Sequence, residues 1–239
     1  MPRSAPLVPG GSRPSLGPVQ PFQPPKPARA TNAIVLVCLA IQLAVSLAGP
    51  TFAVQLAVRA GLMPARLTGA VELGAAAVPA PLTLLTSLFI HGGWLHLGLN
   101  LLFLLIVGRM VEWVAGPGRL MLIFLLGGLA GGLLQTVVTP ASTLPVIGAS
   151  GAIAAVFACY AILFARRRAN ARRFAGINMS SELLTALWFA AVWIGLQLMT
   201  AAAFNGQGGG IAIWAHIGGF IAGLVIARPL GRRPRSNLV

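Results

Sequence analysis

The chain has 239 residues, of which 57% are hydrophobic and only 8% are charged, and its formal net charge is +14. A soluble domain of this size would carry about a quarter charged residues, so the composition excludes an ordinary soluble globular protein. The three acidic residues are all glutamates, which excludes aspartic-protease chemistry and any Ser-His-Asp triad.

Residues 1–30 are predicted to form a disordered, proline-rich cytoplasmic tail. Half of the 18 prolines of the chain lie in this stretch, and such a composition cannot bury a core. The stretch lacks the basic-then-apolar order of a signal peptide. The first long apolar run, from about Asn32 to Gly49, is long enough to span a membrane and has no A-x-A-like cleavage site. We therefore expect it to be a retained transmembrane helix.

Five further apolar runs follow, at about 92–112, 119–139, 149–165, 183–203 and 211–228. At these lengths only helices can satisfy their backbone groups in lipid. The sequence therefore predicts an all-α membrane protein whose transmembrane domain, residues 31–229, contains six transmembrane helices. The segment between the first two runs is too polar to span and too apolar for a plain solvated loop, so we expect it to lie partly in the membrane interface.

The basic residues predict the orientation of the chain in the membrane. All but two of the 17 Lys and Arg residues fall on one side of the predicted spans, and the exceptions are Arg59 and Arg66. The positive-inside rule assigns the crowded side to the cytoplasm, so both termini are expected there, including a basic tail at residues 230–239. Because topology explains the positive charge, we expect the lipid bilayer and not nucleic acid as the partner. The sequence leaves the oligomeric state open.

A small set of polar residues lies inside the predicted spans, where ionisable groups are costly and usually functional. The set consists of His91, His96, Asn100, Ser150 and His216, and it includes all three histidines of the chain. A helical rise of about 1.5 Å per residue places Ser150 about 24 Å, His96 about 20 Å and His216 about 18 Å from the cytoplasmic boundary. Asn100 shares a helix face with His96, one turn deeper. The common depth predicts that these side chains converge from three helices.

The chemistry of hydrolysis matches these residue types. A serine hydroxyl becomes an effective nucleophile when an imidazole accepts its proton, which suggests Ser150 and His216. The tetrahedral intermediate then needs hydrogen-bond donors for its oxyanion, which His96 and Asn100 would supply together with a backbone N–H. With no carboxylate nearby, packing would orient the base, so the sequence predicts a Ser-His dyad.

Other interpretations of the same residues remain open. Small residues such as those at 148–151 also serve helix packing in membranes, and a membrane histidine can be a structural hydrogen-bond partner or a proton relay. The spacing of His91 and His96 would suit a metal, but no Cys or acidic ligand lies near them in sequence, so we expect no metal and no cofactor. We expect Gly151, Gly219 and Gly223 to let the helices of Ser150 and His216 approach each other.

Taken together, the motifs resemble those of the rhomboid proteases, a family of intramembrane serine proteases. The family's two histidines five residues apart, with an asparagine four residues later, match His91, His96 and Asn100. Its GxSG motif matches residues 148–151, and its AHxxG motif on the last helix matches residues 215–219. The resemblance covers about residues 80–228, with the motifs in the family's order.

The resemblance implies a fold, an activity and residue roles. The fold is a six-transmembrane-helix rhomboid-like bundle, and the activity is cleavage of membrane proteins in or near their transmembrane helices, without a cofactor. A multi-pass protein of a bacterial-type inner membrane is expected. Ser150 would be the nucleophile and His216 the general base. The oxyanion hole and its support would come from the remaining motif residues: His91, His96, Asn100 and Gly148.

The sequence departs from the family pattern at two places. Many relatives carry an aromatic residue four positions after the serine, where it stacks on the catalytic histidine, and this chain has Ala154 there. Either His216 is held less firmly, or the ring of Phe157 or Trp214 replaces that aromatic residue. The family's Trp-Arg pair is missing before His91, where residues 81–84 read Pro-Leu-Thr-Leu. The first outer loop would then be anchored differently.

Two functions other than proteolysis stay open at this stage. One is a catalytically silent rhomboid-like protein that binds membrane clients, although such members typically lose the serine or the histidine and Ser150 and His216 are both present. The other is a transporter or channel, which would be expected to have paired charges or broken helices within the membrane. Neither of those features is clear in the sequence.

Overall fold

The structure is a computed structural model that describes residues 27–165, 172–174, 177–179 and 212–230. The described part is predominantly helical. Its α-helices, in chain order, are α1 (Arg29–Ala48), α2 (Pro50–Ala60), α3 (Pro64–Leu67), α4 (Thr83–Thr86), α5 (Trp94–Phe103), α6 (Arg109–Ala115), α7 (Pro117–Val138), α8 (Ser150–Ala165) and α9 (Ile213–Leu230). The predicted span at 183–203 lies outside the described residues, as do residues 1–26 and 231–239 of the two tails.

Shorter elements complete the described architecture. Two 3₁₀ turns, Ala80–Leu82 and Ser87–Phe89, flank α4, and a π-helical turn, Leu104–Gly108, joins α5 to α6. Two antiparallel strands, β1 (Arg172–Phe174) and β2 (Ile177–Met179), form a hairpin with Arg172 opposite Met179. This hairpin, which follows α8 in the arginine-rich stretch, differs from the all-α fold that the sequence predicts.

Among the described residues, three helical segments are long and apolar enough to cross a membrane: Arg29–Ala48, Trp94–Ala115 and Pro117–Val138. Two shorter apolar helices, Ser150–Phe164 and Ile213–Ala227, correspond to the fourth and sixth predicted runs. The six-span count and the orientation of the termini stay predictions, since the fifth run is not described.

Two tryptophans mark the ends of the Trp94–Ala115 span. Trp94 and Trp113 are each 51% exposed, and about 19 residues of helix between them cover roughly 28 Å. That length is close to the hydrocarbon thickness of about 30 Å, and exposed tryptophans favour the two membrane–water interfaces. The spacing therefore suits a helix that crosses the bilayer with one tryptophan at each interface.

Glycines allow α8 and α9 to pack with their backbones in contact. A Cβ added to Gly219 would overlap the carbonyl oxygen of Gly151, and one added to Gly223 would overlap the carbonyl oxygen of Ala155. In lipid, where the hydrophobic effect does not drive helices together, such small residues permit the close van der Waals packing that does. This contact brings the start of α8 beside the start of α9.

A buried carboxylate joins the start of α1 to α6. Glu112 is 5% exposed, and its oxygens accept hydrogen bonds from the backbone N–H groups of Ala30 (2.9 Å) and Thr31 (2.8 Å) and from the Thr31 hydroxyl (2.7 Å). The first N–H groups of a helix have no partner within it, and negative charge is favourable at this end. Glu112 is therefore a helix cap supplied by a distant part of the chain.

The segment between α1 and α5 is anchored by a buried arginine. The guanidinium of Arg66, which is 8% exposed, donates to the carbonyl oxygens of Val78 (2.7 Å) and Arg59 (3.3 Å). Further along the bundle, Leu62 and Val146 exchange two backbone hydrogen bonds of 3.0 and 2.7 Å. The Arg66 bonds hold the segment together, and the Leu62–Val146 pair ties it to the loop that leads into α8, so the segment helps to position that loop.

Candidate active site

Ser150 and His216 meet at the starts of two adjacent helices. Ser150 is the first residue of α8, and His216 lies in the first turn of α9. His216 Nε2 is 2.6 Å from Ser150 Oγ, a short separation for a hydroxyl and a ring nitrogen. His216 is 6% exposed and Ser150 is partly exposed. When Nε2 accepts this hydrogen bond, the imidazole can take up the hydroxyl proton.

Gly148 shapes the turn that presents Ser150. Its φ of 115° lies in the left-handed region that glycine favours, and its N–H donates to the Ser87 carbonyl at 2.9 Å. A Cβ at this position would stand 2.7 Å from Nε2 of His96. The missing side chain thus leaves room for the His96 ring directly beside the turn.

His96 presents a defined tautomer to the turn. Its Nδ1 accepts the backbone N–H of Gly92 at 3.2 Å. In a neutral imidazole the nitrogen that accepts carries no proton, so the proton of His96 is on Nε2. Nε2 is the nitrogen that lies next to Gly148, so His96 offers an N–H donor at the edge of the site.

Asn100 lies one turn below His96 on α5 and is 7% exposed. Its Nδ2 donates to the His96 carbonyl oxygen at 2.9 Å. An asparagine amide carries two N–H donors, so this bond uses one of them. The bond holds the Asn100 side chain close to His96.

His91 also contacts the turn. It is 5% exposed, and its Nε2 accepts the backbone N–H of Ala149 at 3.4 Å. The rings of His91 and His96 meet edge to face, with centroids 5.2 Å apart. Among the described residues there is no group of three or more His, Cys, Asp or Glu side chains placed to hold a metal ion.

No aromatic residue stands four positions after Ser150, and the two rings that could replace it lie elsewhere on α8 and α9. Ala154 is buried on α8. Phe157, one turn further along, packs edge-on against Phe103 of α5, with ring centroids 6.5 Å apart. Trp214 is 41% exposed at the start of α9. The Phe157 ring therefore links α8 to α5, and Trp214 lies largely on the surface.

Gln135, which is not among the site residues predicted from the sequence, contacts the residue before His216. Gln135 is on α7 and 8% exposed, and its Oε1 accepts the backbone N–H of Ala215 at 3.2 Å. Its Nε2 donates to the Thr139 hydroxyl at 3.0 Å. The available signal was a polar side chain inside the apolar run 119–139, where each such residue is a functional candidate.

Comparison with known proteins gives one matching domain family. The family described as "Rhomboid domain" matches residues 80–233, which include every polar residue of the site and the helices α5 to α9. Together with the apolar helices, this match identifies an integral membrane protein.

Individual relatives match over the same region. The chain is 34% identical over 151 residues to "Rhomboid protease GluP" of Bacillus subtilis, which covers 62% of this chain and 26% of the relative. It is 35% identical over 100 residues to "Rhomboid-related protein 3" of Homo sapiens, a match that covers 42% of this chain and 23% of the relative. It is 28% identical over 145 residues to "Inactive rhomboid protein 1" of Rattus norvegicus, a match that covers 59% of this chain and 15% of the relative. The chain thus spans about a quarter or less of the length of these relatives.

Proposed function

Because the chain belongs to the rhomboid family, we propose that it is an intramembrane serine endopeptidase with Ser150 as nucleophile and His216 as general base. The observation that carries the proposal is the 2.6 Å separation of His216 Nε2 and Ser150 Oγ. These atoms belong to residues 66 positions apart in sequence, so their contact depends on the packing of α8 against α9. A relative named a rhomboid protease supports the same reaction class.

The proposed reaction proceeds through an acyl-enzyme. Ser150 Oγ attacks the carbonyl carbon of the scissile peptide bond while its proton passes to His216 Nε2. The tetrahedral intermediate collapses, the C–N bond breaks, and the imidazolium returns its proton to the departing amine. A water molecule, deprotonated by the same imidazole, then hydrolyses the ester and regenerates the Ser150 hydroxyl.

The developing oxyanion needs donors close to Ser150. The backbone N–H of Ser150 is at the N-terminus of α8, where the helix dipole favours negative charge. We assign the Nε2–H of His96 and the second amide N–H of Asn100 as the side-chain donors. Loss of one such donor typically costs about 10² to 10³ in kcat.

His91 and Gly148 support this arrangement without acting on the substrate. His91 holds the Ala149 backbone N–H, and Gly148 gives the turn its left-handed conformation beside His96. The glycines Gly151, Gly219 and Gly223 permit the close approach of α8 and α9 that the dyad requires.

The proposed substrates are membrane proteins, cut in or near their transmembrane helices. We place both termini in the cytoplasm, with a proline-rich tail at residues 1–30, a six-span domain at residues 31–229 and a basic tail at residues 230–239. The proposed location is a bacterial-type inner membrane. The charge bias of the loops supports this topology.

Membership of the family alone does not decide activity, since one relative is named an inactive rhomboid protein. A silent, client-binding protein would have no use for a nucleophile and base in contact. The presence of both residues at hydrogen-bond distance favours the protease over the silent alternative.

The test is covalent labelling of the purified full-length chain with a fluorophosphonate probe. We expect labelling of the wild type, none of Ser150→Ala, and loss of both labelling and reporter cleavage in His216→Ala. Ser142→Ala, in the loop before α8, is the matched control and should label like the wild type. Labelling that survives Ser150→Ala, or a wild type that neither labels nor cleaves, would refute the proposal.

A further inference from the structure

We propose that Gln135 is a positioning residue that holds His216 against Ser150 by hydrogen bonding to the backbone of Ala215. The inference rests on the proposed dyad and concerns what keeps its base in place. No Asp exists in the chain to orient the imidazole as in a triad, and Ala154 stands where many relatives carry an aromatic residue. Gln135 supplies a fixed point one residue away from the base.

The first contact is a hydrogen bond to the start of α9. The N–H of Ala215 donates to Gln135 Oε1 at 3.2 Å and also to the Ala212 carbonyl at 3.0 Å. Helix starts leave N–H groups unpaired, and within a membrane such groups need a protein partner. Here α7 supplies a second acceptor besides the Ala212 carbonyl, so the first turn of α9 is fixed to α7 and not only to itself.

The second contact acts on the opposite side of the same residue. Gly131 lies one turn before Gln135 on α7, and a Cβ added to it would overlap the Ala215 carbonyl oxygen. The backbone of Ala215 is therefore held at its N–H by Gln135 and at its C=O by direct contact with Gly131. Because His216 is the next residue, a shift of Ala215 moves the imidazole relative to Ser150.

The Gln135 side chain is itself held in place. Thr139 Oγ1 accepts from Gln135 Nε2 at 3.0 Å and donates to the Gln135 carbonyl oxygen at 2.8 Å. With the amide nitrogen committed to Thr139, the amide oxygen faces Ala215. Thr139, Gln135 and Ala215 form one connected chain of hydrogen bonds that ends next to the base.

The experiment compares substitutions on α7 in the full-length protein. Gln135→Met keeps the length of the side chain and removes the acceptor, whereas Gln135→Glu retains an acceptor oxygen in either protonation state. Thr136→Val is the matched control, since within the described part of the chain the Thr136 hydroxyl bonds inside α7, to the Gly132 carbonyl at 2.9 Å. Thr139→Val is a milder variant that frees the Gln135 side chain and leaves its acceptor.

The kinetic readout is kcat and KM for a reporter substrate at a temperature well below the Tm of each variant. Misplacement of a catalytic group by about 1 Å can cost up to about 10²-fold. We expect Gln135→Met to lower kcat by about tenfold to 10²-fold and to leave KM nearly unchanged, which marks loss at the chemical step. Gln135→Glu should recover most of kcat, and Thr136→Val should match the wild type.

A second readout does not require catalysis. The chain contains only three histidines, so ¹⁵N-histidine labelling gives a simple spectrum in which His216→Ala identifies the His216 signals. Ser150→Ala shows where the Nε2 resonance moves when the contact with Ser150 is lost. We expect Gln135→Met to move this resonance in the same direction, Thr139→Val to move it less, and Thr136→Val to leave it in place.

The two readouts separate failure of the inference from failure of the proposed function. A His216 Nε2 resonance that stays at its wild-type position in Gln135→Met and Thr139→Val would overturn the positioning role, whether or not the chain cleaves substrate. A wild type that the fluorophosphonate probe does not label would refute the protease instead. A Gln135→Met variant with wild-type kcat would also contradict the positioning role.

Discussion

The ring of His96 packs against Gly148 at the place where any other residue would carry its Cβ. A Cβ added to Gly148 would stand 2.7 Å from His96 Nε2. Gly148 also has a φ of 115°, which side chains rarely adopt. Both the conformation of the turn and the placement of the ring therefore depend on a hydrogen at this position.

Gly148→Ala is accordingly expected to abolish labelling of Ser150 by a fluorophosphonate, because the turn and the His96 ring cannot both keep their positions. Gly69→Ala is the matched control, since Gly69 has a φ of 80° but nothing within 4 Å of an added Cβ. It carries the conformational strain, of order 1 kcal/mol, without the clash. Equal labelling of both variants would show that the contact with His96 is not needed.

Gly219→Ala is expected to separate α8 from α9 and to remove the contact between Ser150 and His216. The added Cβ would overlap the Gly151 carbonyl, and backbone atoms cannot yield as a flexible side chain does. Reporter cleavage should fall by about 10²-fold or more, with a lower Tm in detergent. Gly98→Ala, where nothing lies within 4 Å, should retain cleavage and gain about 0.5–1 kcal/mol in stability. Full activity of Gly219→Ala would contradict the packing argument.

Glu112→Ala is expected to lower stability and to spare the chemistry. The substitution leaves two N–H groups and the Thr31 hydroxyl without their acceptor, and hydrogen bonds to charged groups contribute about 1.5–3 kcal/mol each. The Tm should fall clearly, whereas Ser150 labelling well below that temperature should remain near the wild-type rate. Glu72→Ala, at an exposed position, should change neither. A Tm equal to that of the wild type would show that the cap on α1 is dispensable.

Much of the helical framework could be predicted from the sequence, because a membrane allows few alternatives to a helix. The predicted run 119–139 corresponds to Pro117–Val138, and the run 92–112 to the longer span Trp94–Ala115. The common depth of Ser150 and His216 indicated that they would converge, and they lie 2.6 Å apart. Their catalytic roles remain predictions.

Other contacts could not be predicted, because they join residues far apart in the chain. They also involve backbone N–H and C=O groups, which nearly every residue carries and which the sequence does not distinguish. Gln135 and Ala215 are 80 positions apart, and no periodicity connects a glutamine to a backbone N–H on another helix. The sequence indicates only that Arg66 is a positive charge on the outer side, whereas in the structure its guanidinium binds two carbonyl oxygens. The sequence predicts that Asn100 faces the oxyanion, and in the structure one of its N–H groups donates to the carbonyl oxygen of His96 in the preceding turn of its own helix.

The start of α8 at Ser150 has a consequence for how the two reactants of hydrolysis arrive. The 16 residues of α8 extend roughly 24 Å, which is short of a hydrocarbon core about 30 Å thick. Under the proposed topology, Ser150 then lies below the non-cytoplasmic surface of the membrane, and the water that hydrolyses the acyl-enzyme would reach it along the membrane normal. The proposed substrate, a membrane-embedded peptide, moves in the plane of the bilayer and would reach Ser150 from the side. These two proposed directions of approach are at right angles, so substitutions on the aqueous side of Ser150 and on its lipid-facing side should affect hydrolysis of the acyl-enzyme and its formation separately.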